Sequence, residues 1–197
     1  VSGRWNVRYG DGAIETVPRL VSGGRVLLVC GRKSFAASGA ARILPELSRV
    51  AEVERWSGFA PNPDAADLLG GLRLAARFRP DLVLGVGGGS AMDAAKLLCA
   101  FAGITSEEEL RAAIRDNRTG VRGSRLALAP TTSGSGSEAT HFAIVYIGEE
   151  KFSVTDPALL PDVTILDPAL AASGSPYQRA TSGIDAVAQA IESMWAV

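Results

Sequence analysis

Cysteine, histidine and net charge are all scarce in this sequence, and each shortage excludes something. Only Cys30 and Cys99 occur in 197 residues, each inside an apolar stretch (VLLVC and LLCAF). Both read as structural core thiols, which fits a reducing cytoplasm. His141 is the single histidine, which limits metal and acid–base chemistry from the outset. The 20 basic residues are matched by 21 acidic ones for a net charge of −1, so no cationic excess exists to neutralise nucleic-acid phosphates. No uninterrupted apolar run approaches the ~18 residues of a membrane span, and Val1-Ser2-Gly3-Arg4 does not read as a signal peptide. A membrane partner is therefore not expected, and a cytoplasmic location is.

Apolar residues, by contrast, make up 47 % and charged ones 21 %, a mixture that supports a sizeable core and excludes a disordered chain. At roughly 150 residues per domain, the length predicts one to two domains. Glycine is the unusual excess: of 22, several crowd into GVGGGSAMD and TTSGSGSE.

The opening WNVRYGDGAIETV predicts two short strands around the turn Gly10-Asp11-Gly12. Val26–Cys30 is a continuous apolar run ending at Gly31, the mark of a strand buried on both faces. Ser34 is expected to open a small-residue helix that Pro45 ends or kinks, and Ala51–Trp56 reads as a strand. Asn62-Pro63-Asp64 supplies an N-cap, a first-turn proline and a first-turn acid for a helix carrying Ala65, Leu68, Leu69, Leu72 and Ala76 at helical spacing. Pro80 stops it. Asp81–Val86 predicts the next buried strand, a helix follows over 91–101, and Leu126–Ala129 predicts another strand. His141–Ile147, Lys151–Val154 and Val163–Leu166 look like further strands. Strands alternating with helices predict an α/β doubly wound, mostly parallel sheet of the dinucleotide-binding kind. From Gln178 onward the pattern is helix alone. The expected organisation is a nucleotide-binding α/β domain over 1–173, with 174–197 the start of a truncated all-helical domain.

Four segments carry candidate chemistry. Gly87-Gly88-Gly89-Ser90, with Asp93 three residues on, runs from strand through glycine turn into helix. There the backbone can approach a ligand and helix N–H groups can meet a phosphate. It matches neither GxGxxG nor a P-loop, and a tight turn whose glycines serve only geometry is the alternative. Pro130-Thr131-Thr132-Ser133-Gly134-Ser135-Gly136-Ser137-Glu138 packs hydroxyls at a strand's carboxyl end, where a diphosphate or ribose would bind; a Ser/Gly linker is its bland counterpart. At Gly31-Arg32-Lys33-Ser34, nucleotide-binding folds usually place an acid for the adenosine ribose. Glycine and two cations stand there instead, favouring a 2′-phosphate and hence NADP over NAD, unless the pair is merely solvated. Asp185 and Gln189, four apart, share a helix face and could offer oxygen ligands to a divalent cation. By spacing alone, a capping box of Ser182 with Asp185 is the stronger reading.

GGGSAMDAAK, PTTSGSGSEAT, the NP of PNP, LLPDVTILDPAL and ATSGIDAVAQAIES together resemble the iron-containing (group III) alcohol dehydrogenases, in the right order across residues 1–197. The resemblance implies an N-terminal α/β nucleotide domain, a C-terminal helical domain and catalysis between them. It implies diphosphate binding at Gly87, Gly88, Gly89 and Ser90. Nicotinamide and ribose contacts would come from Asp93, Thr131, Thr132, Ser135 and Lys151, with Asn62 near the adenosine half. Asp185 would be the first ligand of an iron or zinc ion. The family's second ligand is a histidine where this chain has Gln189, and an amide oxygen binds iron or zinc less well than imidazole. The family's other two histidines lie further into the helical domain, and His141 matches no metal position. AQAIESMW and HFAIVYIGEEKFSV further resemble a subset that includes phosphonoacetaldehyde reductases. A homodimer is expected from the same resemblance.

The expected function is hydride transfer between NADP or NAD and a small alcohol or aldehyde, with Asp93 and Gln189 as candidate catalytic residues. Gln189 could act as a hydrogen-bond donor to the substrate oxygen in place of a cation. A nucleotide-binding module without turnover is the rival in another class. A glycerol-phosphate dehydrogenase or dehydroquinate-synthase-like enzyme is the rival on the same scaffold.

Overall fold

A computed structural model describes residues 6–21 and 23–196. Along the chain run β1 (Asn6–Tyr9), a 3₁₀ helix over Ala13–Leu20, β2 (Arg25–Cys30), α1 (Ser34–Ala37), a 3₁₀ turn over Ala40–Ile43, α2 (Leu44–Val50) and β3 (Glu52–Trp56). Then come α3 (Ala65–Phe78), β4 (Leu82–Gly87), α4 (Gly89–Ala100), α5 (Glu107–Arg115), β5 (Arg125–Pro130), β6 (Phe142–Ile147), β7 (Glu150–Thr155), β8 (Val163–Leu166), α6 (Pro168–Ala172) and α7 (Pro176–Trp195).

Six strands form one sheet in the order β1-β8-β5-β4-β2-β3, every pair parallel. β6 and β7 form a separate antiparallel hairpin. The apolar runs of β2, β4 and β5 occupy the sheet centre, buried on both faces as parallel strands flanked by helices must be. Leu27, Val29, Val83, Leu126 and Leu128 pack on one face with residues of α3, α4 and α5. Val26, Leu28, Leu84, Val86 and Ala129 pack on the other with the first 3₁₀ helix, α2 and α6. Gly85 lets α4 lie close on the sheet, since a Cβ there would stand 2.7 Å from Leu128 and 2.8 Å from Ala95.

The strand order sets the place of function. β2 and β4 are neighbours, yet the chain leaves β2 outward to β3 before returning to β4 on β2's other side. The carboxyl ends of β2 and β4 thus flank a topological switch point, where open α/β sheets leave a crevice.

Several local expectations needed correction. The second opening strand is a 3₁₀ helix instead. Ile14 and Val17, three apart, are both buried, matching a three-residue turn, while β1 pairs with distant β8. Trp5, where that strand was expected to begin, lies outside the described residues. Gly39, at φ 78°, breaks the helix opened by Ser34, and Pro45 starts α2 rather than ending anything, since a first-turn proline gives up no intrahelical bond. The cap of α3 is Asp64, accepting from Ala66 N at 2.8 Å, and not Asn62; Ala76 is exposed. α7 begins with a capping box of Ser175 and Gln178, so Ser182 and Asp185 lie within the helix and cap nothing. α5 is an element beyond those expected from the residues: Ser106 followed by three glutamates is a helix start with a mechanism, and Ser106 Oγ accepts from Glu109 N at 3.2 Å.

Candidate functional site

Three turns that follow parallel strands meet at the carboxyl edge of the sheet. Gly31–Ser34 follows β2, Gly88–Ser90 follows β4 and Thr131–Gly136 follows β5. Close packing requires glycine at position 87. A Cβ on Gly87 would stand 2.6 Å from that of Ala91, and one on Gly88 3.3 Å from Thr132 Oγ1, so the glycine turn and the Ser/Gly loop touch. The register agrees, because Gly87 pairs with Pro130 and its carbonyl accepts from Thr131 N at 2.9 Å. α4 opens at Gly89 after the extended Gly88; the Gly88 carbonyl accepts from Ala91 N at 3.0 Å and Met92 N at 3.2 Å, while the first N–H groups of a helix, here those of Gly89 and Ser90, have no intrahelical acceptor.

Two hollows adjoin at Gly89 and Ser90. The first, ≈ 520 Å³, runs from Gly31, Arg32, Lys33 and Ser34 past Phe59 and Pro61. The second, ≈ 240 Å³, is lined by Asn62, Asp93, Tyr146 and Lys151. Asn62, at φ 59°, reaches the junction through its backbone: its N–H donates to Ser90 Oγ at 3.1 Å. Ser90 therefore receives Asn62 rather than capping its own helix.

Asp93 projects from the first turns of α4. Its Oδ1 accepts from Ser137 Oγ at 2.7 Å and its Oδ2 from Ile144 N at 3.2 Å, tying the helix to the Ser/Gly loop and the hairpin. Burial pushes its carboxyl above the usual carboxylate range, opposed by those two bonds and by Lys96 and Lys151. One turn on, Lys96 is fully buried and donates to Thr140 O at 2.9 Å, Thr140 Oγ1 at 2.9 Å and Phe142 O at 2.8 Å. Burial lowers its ammonium to about 8, against the pull of Asp93 and Glu138. The sequence carries the signal, since a lysine in GSAMDAAKLLCA sits on a helix otherwise nearly all apolar and must find acceptors.

Ser135 Oγ accepts from Ser137 N at 3.4 Å, and Thr131 is buried against the sheet edge. Gly134, at φ 121°, lets the loop press on α7: a Cβ there would collide with Ser182 O and stand 3.2 Å from Asp185 Oδ2. Gln189 Nε2 donates to Asp185 Oδ2 at 3.1 Å. The structure thus brings Asp185 to the Ser/Gly loop, with Gln189 bonded to it from the next turn of α7. His141 is exposed, its ring edge-on to Phe142 at 6.3 Å. Both cysteines are buried, and burial raises Cys30 and pushes Cys99 up to about 12, as inert core thiols require.

A parallel sheet with three glycine- and hydroxyl-bearing turns at its switch point defines the class: a doubly wound α/β domain of the dinucleotide-binding type. Residues 5–168 match the iron-containing alcohol dehydrogenase family model, and the chain belongs to that family. It is 33 % identical over 194 residues to an NADPH-dependent butanol dehydrogenase of Clostridium saccharobutylicum, covering 95 % of this chain and 49 % of that protein. It is 28 % identical over 185 residues to a 1-propanol dehydrogenase of Citrobacter freundii, covering 93 % and 46 %. The fold superposes with TM-score 0.83 on an NADH-dependent butanol dehydrogenase A from Thermotoga maritima, at 24 % identity, covering 95 % of this chain and 48 % of that one. It superposes with TM-score 0.87 on a sulfoacetaldehyde reductase from Bifidobacterium kashiwanohense solved with NAD⁺, at 22 % identity, covering 98 % and 52 %. The chain spans about half the length of the curated relatives it matches. Among the described residues, no helix is long and apolar enough to cross a membrane.

The family name implies iron, and the residues present do not fit it by themselves. Among the described residues no group of three or more His, Cys, Asp or Glu side chains could hold a metal ion. Gln189 turns its amide N–H, not its oxygen, toward Asp185, so the pair satisfies itself and offers one carboxylate and no imidazole.

Proposed function

We propose that this chain is the nucleotide half of an NAD(P)H-dependent alcohol dehydrogenase or aldehyde reductase with a preference for NADPH. One observation carries the preference. At the turn after β2, where an acid would take the ribose 2′-hydroxyl of NAD, the chain has Gly31, with Ser34 Oγ turned into the space beside its Cα. Arg32 and Lys33 stand beside it, and among the described residues neither makes an ion pair with a carboxylate. Cations without a carboxylate partner suit a phosphate dianion.

The diphosphate then lies on the turn Gly87, Gly88, Gly89 and Ser90, over the α4 N-terminus. The adenosine end occupies the larger hollow beside Gly31, Arg32 and Ser34, and Asn62 stands at the junction. Nicotinamide and its ribose take the smaller hollow, lined by Asp93, Tyr146 and Lys151, with Thr131, Thr132 and Ser135 on the loop that meets the glycine turn at Gly88 and Gly89. Asp93 accepts from the nicotinamide amide there and fixes which ring face meets the substrate. NADPH bound there would supply a hydride to the aldehyde carbon, and with one proton taken up by the substrate oxygen the products would be the alcohol and NADP⁺. Gln189 Nε2 has a second hydrogen beyond the one given to Asp185, and it polarises the substrate oxygen. Residues 1–173 make the nucleotide domain in this reading and 174–197 begin the helical one. It includes a homodimer, to be measured by sedimentation equilibrium.

Fluorescence titration tests the reading directly. Saturable NADPH binding, tighter than NADH, is expected; the absence of saturable binding of either would overturn it. A turnover panel of propanal, butanal and phosphonoacetaldehyde then separates simple aldehydes from the phosphonate substrate suggested by AQAIESMW and HFAIVYIGEEKFSV.

A further inference from the structure

Arg55, the fourth residue of β3, does something unusual for an exposed cation. Its Nη2 donates to both Gly31 O and Arg32 O at 3.1 Å, the two carbonyls that open the turn after β2. Its Nε donates to Cys30 Sγ at 3.1 Å and Ser57 Oγ at 3.2 Å, and the guanidinium lies over the Phe35 ring at 5.3 Å. Ser57 also anchors Arg32, whose Nε donates to Ser57 O at 3.1 Å. Among the described residues Arg55 makes no ion pair with a carboxylate. The fork is held on all sides by the strand end and turn that it organises.

The chemistry of the two nicotinamide cofactors at this point is opposite. A ribose 2′-hydroxyl is recognised by acceptors, whereas a 2′-phosphate needs donors and is repelled by carbonyl oxygens turned toward it. Arg55 takes up the two backbone acceptors nearest the turn, and what remains for the cavity is the donor set of Arg32, Lys33 and Ser34. Its charge adds to theirs without an acid to cancel it. We propose that Arg55 is a positioning residue that biases this site toward NADPH by removing the Gly31 and Arg32 carbonyls from the adenosine end. It does this without touching the phosphate.

This rests on the NADPH reading, and the experiment keeps the two apart. Equilibrium Kd values for NADPH and NADH are measured for the wild-type chain, Arg55→Gln, Arg55→Lys, Arg32→Ala and the double variant Arg55→Gln/Arg32→Ala. For Arg55→Gln the NADPH Kd is expected to rise about tenfold while that for NADH stays within about twofold. Arg55→Lys keeps the charge but cannot bond both carbonyls and is expected to lose most of the preference too. The double variant is expected to lose less than the product of the single losses, since Arg55 acts through the turn that carries Arg32. Equal losses for both cofactors, or an unchanged NADPH Kd in Arg55→Gln with a folded circular-dichroism spectrum, overturn the role of Arg55. A wild-type chain that binds NADH as tightly as NADPH overturns the underlying reading instead.

Discussion

The two ends of the parallel sheet are nearly equal as hollows and opposite as chemistry. At the amino end, a depression of ≈ 530 Å³ lies around Gly23–Arg25, Ser48–Glu52 and Asp81. At the carboxyl end the hollow beside Gly31–Ser34 measures ≈ 520 Å³. At the amino end, carboxylates and carbonyls tie down the strand starts. Asp81 Oδ2 accepts from Arg25 N at 2.8 Å, Asp81 O from Arg125 N at 2.9 Å, Asp162 Oδ2 from Leu126 N at 2.7 Å, and Asp162 pairs with Arg122 at 2.8 Å. At the carboxyl end, Arg32, Lys33 and Lys151 make no ion pair with a carboxylate among the described residues. Space alone therefore does not mark a site. Polar groups left over after the fold has satisfied itself do.

That contrast can be broken hardest at Lys96, which braces the carboxyl end from within. Lys96→Met leaves the Thr140 and Phe142 carbonyls without their donor and is expected to cost about 3 kcal/mol, roughly 10 °C in thermal midpoint. The same residue gives a pH signature. Its ammonium sits at about 8 in the folded chain against the ordinary 10.5, so between those values the unfolded state holds more protons than the folded one. The Lys96 contribution to stability therefore rises from about pH 8 to about 10.5 and is flat below 8. Subtracting the Lys96→Met profile from the wild-type profile by chemical denaturation isolates it; a difference that falls over this range would contradict the assignment.

Arg32→Ala comes next and should separate binding from stability. The NADPH Kd is expected to rise about ten- to thirtyfold with little change for NADH, at a melting temperature within ~1 °C of wild type, as surface substitutions allow. Asp81→Ala is the mirror experiment at the amino end. A loss of about 1–2 kcal/mol in urea unfolding is expected, with the NADPH Kd unchanged. A matched loss of affinity would show that the two ends are coupled. Ser90→Ala is the mildest: it removes one hydroxyl from the junction of the two hollows, and calorimetry should find both cofactors weakened about two- to fivefold alike.

Much of this was legible in the residues. The apolar runs gave β2, β4 and β5, the glycine clusters gave both turns, and crossovers long enough for parallel pairing gave a parallel sheet. Gly31, Gly87–Ser90 and Thr131–Ser135 all fall where the strand ends put them. Other features were not legible. Asp64 rather than Asn62 caps α3, since the turn before a proline can shift by two residues without changing composition. The first 3₁₀ helix and an alternating strand share much of their apolar spacing over eight residues. Arg55 was invisible because an arginine in VERW reads as a solvated strand residue until its acceptors, 23 and 24 residues earlier, are brought beside it.

By itself, the sequence determined which segments become strands, helices and glycine turns, because periodicity, capping and proline geometry act over a few residues. Only the tertiary structure decided which turns meet. The order β1-β8-β5-β4-β2-β3 is set by packing both faces of the sheet at once. That order alone sets the cations after β2, the amides after β4 and the hydroxyls after β5 on one edge. The charge balance of the sequence is global rather than local: among the described residues Arg32, Lys33 and Arg55 stand together beside the turn after β2 with no carboxylate partner.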